Sequence, residues 1–372
     1  VRAGRRAAPK EPKVRGVTLT DQPFGRGLAP SLERGVVASE ARLDGPRLAV
    51  LMARDAAERG AVIAPRVEFA GARVDGGRWQ LDLSAREQAR ADGPASVQAT
   101  ALVLAAGSHA DEALQRVDGA DVRLEATSAR AHVLVRRLHD GDHIVCLPGG
   151  PTGEAITLTP WQHHWTLLAA NLVDDGEASL DALLAAVSPL LAKPLTRDDV
   201  QHHTLCLQHH GGPEAVQTAT VGDCPLAVLT DDEPTLVRAR AERAVSAVAP
   251  AAGPVWTAEA VLPGGAIPDA DLRKAHRALG LQYPHLRAGS LAALMRRHGM
   301  DTPLVLGQAE RPRDLGDELA PGLCALELAW MVAREWACTV DDVLWRRTQL
   351  GLDANDDVRA SVAQGLEVAR EA

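Results

Sequence analysis

Apolar and polar residues alternate along this chain in two distinct styles. Leu48 to Arg59 carries apolar residues at helical spacing and meets Gly60 where a left-handed residue closes a helix, so the pattern predicts a helix here and a strand after it. Ala61–Ala64, Val67-Glu-Phe69 and Trp79-Gln-Leu-Asp-Leu83 are short strand-like pieces, with Asp75-Gly-Gly77 as a hairpin turn. Val97 to Leu104 reads as one buried strand running into Ala105-Ala-Gly107. Further strands are expected at His132–Val135, Glu154–Leu158, Thr166–Ala169, Asp199–Leu207 and Pro225–Leu229, and helices at Leu180–Leu191 and Thr235–Val248.

Beyond Pro250-Ala-Ala-Gly-Pro254 the style changes, and from Asp269 the pattern is almost entirely helical. Thr339-Val-Asp-Asp342 has the form of a capping box before Val343–Leu350, with Gly351 at the expected stop. The expected organisation is a loop-rich lead-in over 1–46, an α/β (α+β) domain over 47–250 and an all-α domain over 251–372.

Composition narrows the function classes. The chain has 372 residues and a formal net charge of −9, which argues against nucleic acid as a partner, since phosphate neutralisation needs a basic face. Residues 1–15 are locally basic and are the one candidate for contact with an anionic membrane surface. No run of about 18 uncharged apolar residues occurs and no apolar signal region opens the chain, so a cytoplasmic protein, at most membrane-associated, is expected. Five scattered cysteines fit reduced thiols. The histidine pairs near Cys206 lack ligand spacing, so no metal is expected. Aromatic residues are scarce, at 3%, and four of the seven tryptophans (Trp256, Trp330, Trp336, Trp345) fall where they are expected to pack a helical core.

The ending Glu335-Trp-Ala-Cys-Thr-Val-Asp-Asp-Val-Leu-Trp-Arg-Arg-Thr348 carries a family resemblance. With it go Val261-Leu-Pro-Gly-Gly265, Asp314-Leu-Gly316, Asp44-Gly-Pro-Arg-Leu48, Arg54–Gly60, Asp75–Trp79 and Pro194–Asp199. Together these resemble the FAD-dependent, quinone-linked glycerol-3-phosphate dehydrogenases from about residue 30 to the end. The resemblance implies a flavoprotein-like domain with a helical C-terminal cap, FAD as cofactor, and oxidation of glycerol 3-phosphate to dihydroxyacetone phosphate with electrons passed to quinone.

Against that family's pattern, several positions differ. The strand–GxGxxG–helix unit that holds the FAD pyrophosphate is not found, and Gly25-Arg-Gly27 shows no strand signal before it. Either the chain as given starts downstream of its true N-terminus or the element has been lost. The strand-end motif survives as Leu104-Ala-Ala-Gly-Ser-His109, which makes Ala106 and Gly107 the cofactor-binding candidates. The motif Lys-Gly-Ser-His is Ala129-Arg-Ala-His132, which leaves His132 as the catalytic candidate without that motif's lysine.

Ala169–Leu172 replaces a Gly-Thr-Thr-Asp loop, and Leu207 replaces an arginine that helps hold substrate. Thr230-Asp-Asp-Glu-Pro-Thr-Leu-Val-Arg238 stands where the last flavin motif has Gly-Gly-Lys, and carboxylates there repel pyrophosphate. One such charge about 4 Å from an anion costs roughly 4 kcal/mol at an effective dielectric constant of about 20. Two functional expectations follow: a glycerol-3-phosphate dehydrogenase impaired in this chain, or a non-catalytic pseudoenzyme acting as a homo- or hetero-oligomeric partner of an active paralogue.

Overall fold

The computed structural model describes residues 14–371, apart from 21–22, 39–42, 86–95, 125–126, 162–163, 175, 210–214 and 231–235. The basic segment before residue 14 therefore lies outside the described residues.

Structure begins inside the expected lead-in. Strand β1 (Arg15–Thr18) pairs antiparallel with β2 (Arg34–Val37), so a strand does precede Gly25-Arg-Gly27. Between the two strands Leu28 and Ala29 are buried, and this segment bonds through its backbone to residues 190–192. The stretch is thus part of the core and not a loop outside it. Gly27 makes this possible: at φ +84°, any Cβ there would sit 2.2 Å from the Leu138 carbonyl oxygen.

Helix α1 (Gly45–Glu58) starts on the Asp44 side chain, which accepts from the Arg47 N–H at 3.1 Å, and Gly60 follows at φ +97°. The strand expected at Ala61–Ala64 does not form, and Val62 is almost fully exposed. Strands β3 (Val67–Asp75) and β4 (Arg78–Ala85) are joined by Gly76 and Gly77, both at positive φ, as a mirror-image turn requires. The single strand expected over 97–104 is two. β5 (Ser96–Ala99) pairs with β4, whereas β6 (Leu102–Leu104) enters another sheet, because the chain stops alternating at Thr100-Ala101.

After the short α2 (Ala110–Leu114) come β7 (Thr127–Arg136), β8 (Val145–Leu147), β9 (Ile156–Trp161), β10 (Trp165–Leu172), α3 (Glu177–Val187) and β11 (Val200–His209). The five strands form an antiparallel sheet in the order β11-β7-β10-β9-β8. One face is closed by alternate residues such as Ala131, Val133, Val135, Leu168 and Ile156, clustered with Leu180, Leu183 and Val187 of α3. Strands β12 (Val216–Val221) and β13 (Cys224–Leu229) make a hairpin whose second strand runs parallel to β6, and α4 (Val237–Val248) follows.

The rest is largely helical: α5 (Leu272–Gln282), α6 (Ala288–His298), the short α7 (Thr302–Leu306), the pair β14 (Glu318–Ala320) and β15 (Leu323–Cys324), then α8 (Ala325–Arg334) and α9 (Asp356–Glu371). The capping box is present: Thr339 Oγ1 accepts from the Asp342 N–H, and Asp342 Oδ2 accepts from the Thr339 N–H. The helix it starts is shorter than expected, a single wide π-turn over Asp342–Arg347 ended by Gln349 at φ +61°. Gly351 does not stop it; a Cβ at that glycine would strike the Trp345 ring. Of the four tryptophans expected in a core, Trp330 packs against one, while Trp256 is half exposed under Arg59 and Trp345 is 39% exposed.

The chain forms two compact units, one of 1–42, 74–78 and 100–253 and the other of 43–73, 79–99 and 254–372. This departs from a division at 250, because α1 and much of β3–β5 join the helical unit. Ion pairs explain the joining. Arg47 is bidentate on Glu335 at 2.7 and 3.0 Å and also donates to the Arg297 carbonyl, and Arg54 reaches Asp301 at 3.0 Å. Among the described residues no helix is long and apolar enough to cross a membrane, and none of the five cysteines is in a disulfide.

In the first unit, His139 and His143 stack at 4.4 Å, with Phe24 edge-on to His143. Burial, then the charges of His143 and Arg137, hold His139 down to about 4. The unfolded chain therefore takes up a proton that the folded unit refuses. Stability should be complete above pH 6.5 and fall by up to about 3 kcal/mol as the pH drops to 4. Urea melts followed at several pH values check this, and H139L should flatten the profile; an unchanged slope would remove His139 as the cause.

Candidate functional site

The second face of the five-stranded sheet carries the chemistry. Because Ala129, Ala131, Val133 and Val135 point into the core, alternation sends Arg130, His132, Leu134 and Arg136 to the other side. Register then sets their neighbours. His132 lies between Ala169 of β10 and Thr204 of β11, and Arg130 lies between Asn171 and Cys206. Directly paired residues in such a sheet sit about 4.5–5.5 Å apart at Cα.

His132 is half-buried on β7. The family motif's lysine is absent, yet a cation stands beside this histidine after all: Arg130, two residues earlier on the same face. Arg130 is half-buried, and its Nε is fully buried with no hydrogen-bond partner among the described residues. A desolvated N–H without an acceptor is costly unless a ligand supplies one. The strand period of two makes this pairing readable from the sequence, although comparing motif letters alone passes over it.

The segment Ala169–Leu172 is the end of β10 and not a loop. Ala170 and Leu172 are buried in the core, and only Asn171 brings a polar group to the open face, where it donates to Glu154. Leu207 pairs in register with Ala129.

A second locus lies at the carboxyl ends of β6 and β13. These parallel strands are in register through Leu104 and Val228, so Ala105-Ala106-Gly107 and Leu229-Thr230 leave the sheet side by side. In open α/β sheets that end is where ligands approach. Gly107 has φ +55°, and a Cβ built on it would meet nothing within 4 Å. Packing therefore does not demand a glycine there, and the open space admits close approach of a ligand to the backbone, Ala106 included. His109 is exposed, 3.6 Å from Glu112.

Thr230 is buried, while Asp231, Asp232 and Glu233 lie outside the described residues. By sequence, three carboxylates, Asp231, Asp232 and Glu233, follow directly on β13. Gly25 and Gly27 do not serve as a phosphate loop, since both are taken up by close packing on the carbonyl oxygens of Leu19 and Leu138.

The helical unit holds a cluster that the sequence reading missed. Arg297 is bidentate on Glu327 at 2.6 Å through Nε and Nη2, and His298 Nε2 lies 2.7 Å from Glu327 Oε1. On its other edge, His298 Nδ1 is 3.6 Å from Glu335, the partner of Arg47. Burial pushes Glu327 up, but the Arg297 charge and the His298 and Arg297 hydrogen bonds outweigh it and hold the carboxyl at about 2. Asp342 is likewise lowered, burial being outweighed by the Cys338 N–H and Arg66. Arg47, Arg54, Glu335 and Asp342 all belong to the stretches that carry the family resemblance. Arg47 and Glu335 form one buried pair, and Arg54 and Asp342 are buried residues paired with the partly buried Asp301 and Arg66.

Residues 12–209 match the family described as FAD dependent oxidoreductase, and residues 255–372 match the C-terminal domain of alpha-glycerophosphate oxidase. The chain is 30% identical over 376 residues to a glycerol-3-phosphate dehydrogenase of Pseudomonas tolaasii, covering 91% of this chain and 70% of that protein. It is 28% identical over 367 residues to the aerobic glycerol-3-phosphate dehydrogenase of Escherichia coli K12, covering 91% and 72%. In fold it is similar to the glycerol-3-phosphate dehydrogenase of Bacillus halodurans solved with FAD. The TM-score is 0.71 at 21% identity, covering 91% of this chain and 73% of the other.

Proposed function

This chain belongs to the FAD-dependent glycerol-3-phosphate dehydrogenase family, and from that premise we propose that it keeps the family scaffold while its own residues are poorly suited to oxidising glycerol 3-phosphate through bound flavin. What supports the reading is a contrast within one molecule. The resembling residues of the helical unit are locked in complete buried pairs such as Arg47–Glu335, whereas the resembling site positions have changed chemistry: Leu207, Ala169, Ala170, and the carboxylates at 231–233. A bidentate guanidinium is not replaced by leucine, and glycines that let backbone N–H groups reach an anion are not replaced by aspartates. The role left to such a chain is that of a structural or interaction partner of an active paralogue.

Protein expressed from the complete reading frame should purify without flavin absorbance and should not reduce a dye acceptor when given glycerol 3-phosphate. Stoichiometric FAD with turnover sinks the proposal. That outcome would favour a second reading, the family activity itself, for which Arg130 beside His132 and the open space at Gly107 speak. In that case His132 would be the proton-handling group and Arg130 the cation that holds the substrate phosphate, with FAD, held at the β6 end, supplying the hydride acceptor.

A further inference from the structure

A cavity with a coherent chemistry lies within the helical unit, bounded by α5, α6 and the turn Leu262-Pro-Gly-Gly265. It encloses about 1220 Å³, slightly above the ordinary scale of small-molecule sites. Its floor is fixed by a backbone crossing of two glycines. Gly264 at φ +73° and Gly299 at φ +56° approach so closely that a Cβ on either would fall within 2.3 Å of a carbonyl oxygen of the other strand of chain.

Two properties of the wall define what fits. The apolar part is aliphatic, with Leu286, Leu291 and Met295 among its residues, and no Phe, Tyr or Trp lines it. The ionisable part is all basic. Arg273, His276 and Arg277 occupy positions i, i+3 and i+4 of α5 and so share one helix face, Arg296 comes from the last turn of α6, and no Asp or Glu lines the cavity. Arg297 and His298 below are already engaged with Glu327, but Arg273, Arg277 and Arg296 have no ion-pair or hydrogen-bond partner through their side chains among the described residues. At the rim, Leu272 and Leu281 are 56% and 79% exposed, so apolar surface is left in water next to positive charge.

We propose that this cavity binds a monomeric amphiphilic anion, a carboxylate with a single aliphatic chain, its head held by Arg273, Arg277 and Arg296 and its chain laid along the leucines and Met295. The site is separate from the sheet face and strand ends described above, and it stands whether or not the chain oxidises a substrate.

Titration calorimetry on the full chain with dodecanoate below its micelle concentration tests the idea. One saturable site per chain is expected. Dodecanol, with the same chain and no charge, should bind at least roughly tenfold more weakly, as should dodecanoate on the double variant R273Q/R277Q, about the loss expected for two weakened charged contacts. The melting temperature of that variant should be unchanged, because both side chains are exposed; L281D, at the rim, should weaken binding independently. Absence of saturable binding, equal binding of dodecanol, or full binding by the double variant would overturn the proposal. So would adsorption to phosphatidylglycerol vesicles without binding of monomeric dodecanoate, which would assign the arginines to a membrane surface.

Discussion

Replacing Glu335 by alanine should destabilise the helical unit by about 3–5 kcal/mol, the cost of leaving one member of a buried ion pair uncompensated. Glu335 is fully buried, and its loss strands the Arg47 guanidinium, which is itself only 4% exposed. The Trp330 indole N–H, 3.3 Å from Glu335 Oε1, would lose its acceptor as well. Chemical denaturation followed by tryptophan fluorescence reads the effect, since Trp330 and Trp336 both lie beside this residue in sequence or space. A double-mutant cycle with R47M separates the pair from the rest: the double variant should recover part of the loss, because an apolar pair of similar shape no longer buries an unpaired charge. A loss below about 1 kcal/mol in E335A, the range of exposed ion pairs, would contradict the burial described for the pair.

The second large effect is on acid stability. Glu327 is held at about 2 in the folded unit, well below the ordinary 4.5 of a glutamate. Its contribution is therefore complete above pH 4.5 and lost as the pH falls from 4.5 toward 2, amounting to about 3 kcal/mol. Glu335 and Asp342 are lowered in the same direction, each by its arginine partners against burial, and reinforce the window. This window lies largely below that of His139 in the other unit, between 6.5 and 4. Acid titration should accordingly show two steps, the first abolished by H139L and the second by E327Q, with E327Q also less stable at neutral pH. A single step insensitive to E327Q would show that the Glu327 carboxyl is not charged in the folded protein.

Local signals in the sequence proved dependable where geometry is local. The α1 helix with its Gly60 stop, the Gly76-Gly77 hairpin and the reciprocal Thr339–Asp342 box need only residues three or four apart, and all are present. Signals failed where a distant partner decides. Ala61–Ala64 is apolar enough for a strand but finds no neighbour to pair with, and Val97–Leu104 divides because its halves pair with strands of different sheets.

The same limit applies to chemistry. His132 and Gly107 could be singled out by motif, and the placement of Arg130 beside His132 followed from strand alternation. By contrast, the partners of Glu335 and Glu327 are 288 and 30 residues away, and no periodicity connects them. Nothing in the order of residues indicates that Arg273, Arg277 and Arg296 face one aliphatic cavity; that depends on how two helices cross.

The Arg47–Glu335 pair also sets a timetable for synthesis. Helix α1 leaves the ribosome 288 residues before the carboxylate that neutralises it. At roughly 5–20 residues per second that is about 15–60 s during which Arg47 of α1 lacks its carboxylate partner. Meanwhile the chain between them has time to complete the five-stranded sheet. The helical unit is thus a late assembly made from an early and the latest part of the chain, and a nascent chain stalled before residue 335 should present α1 to chaperones or proteases as an unfinished segment.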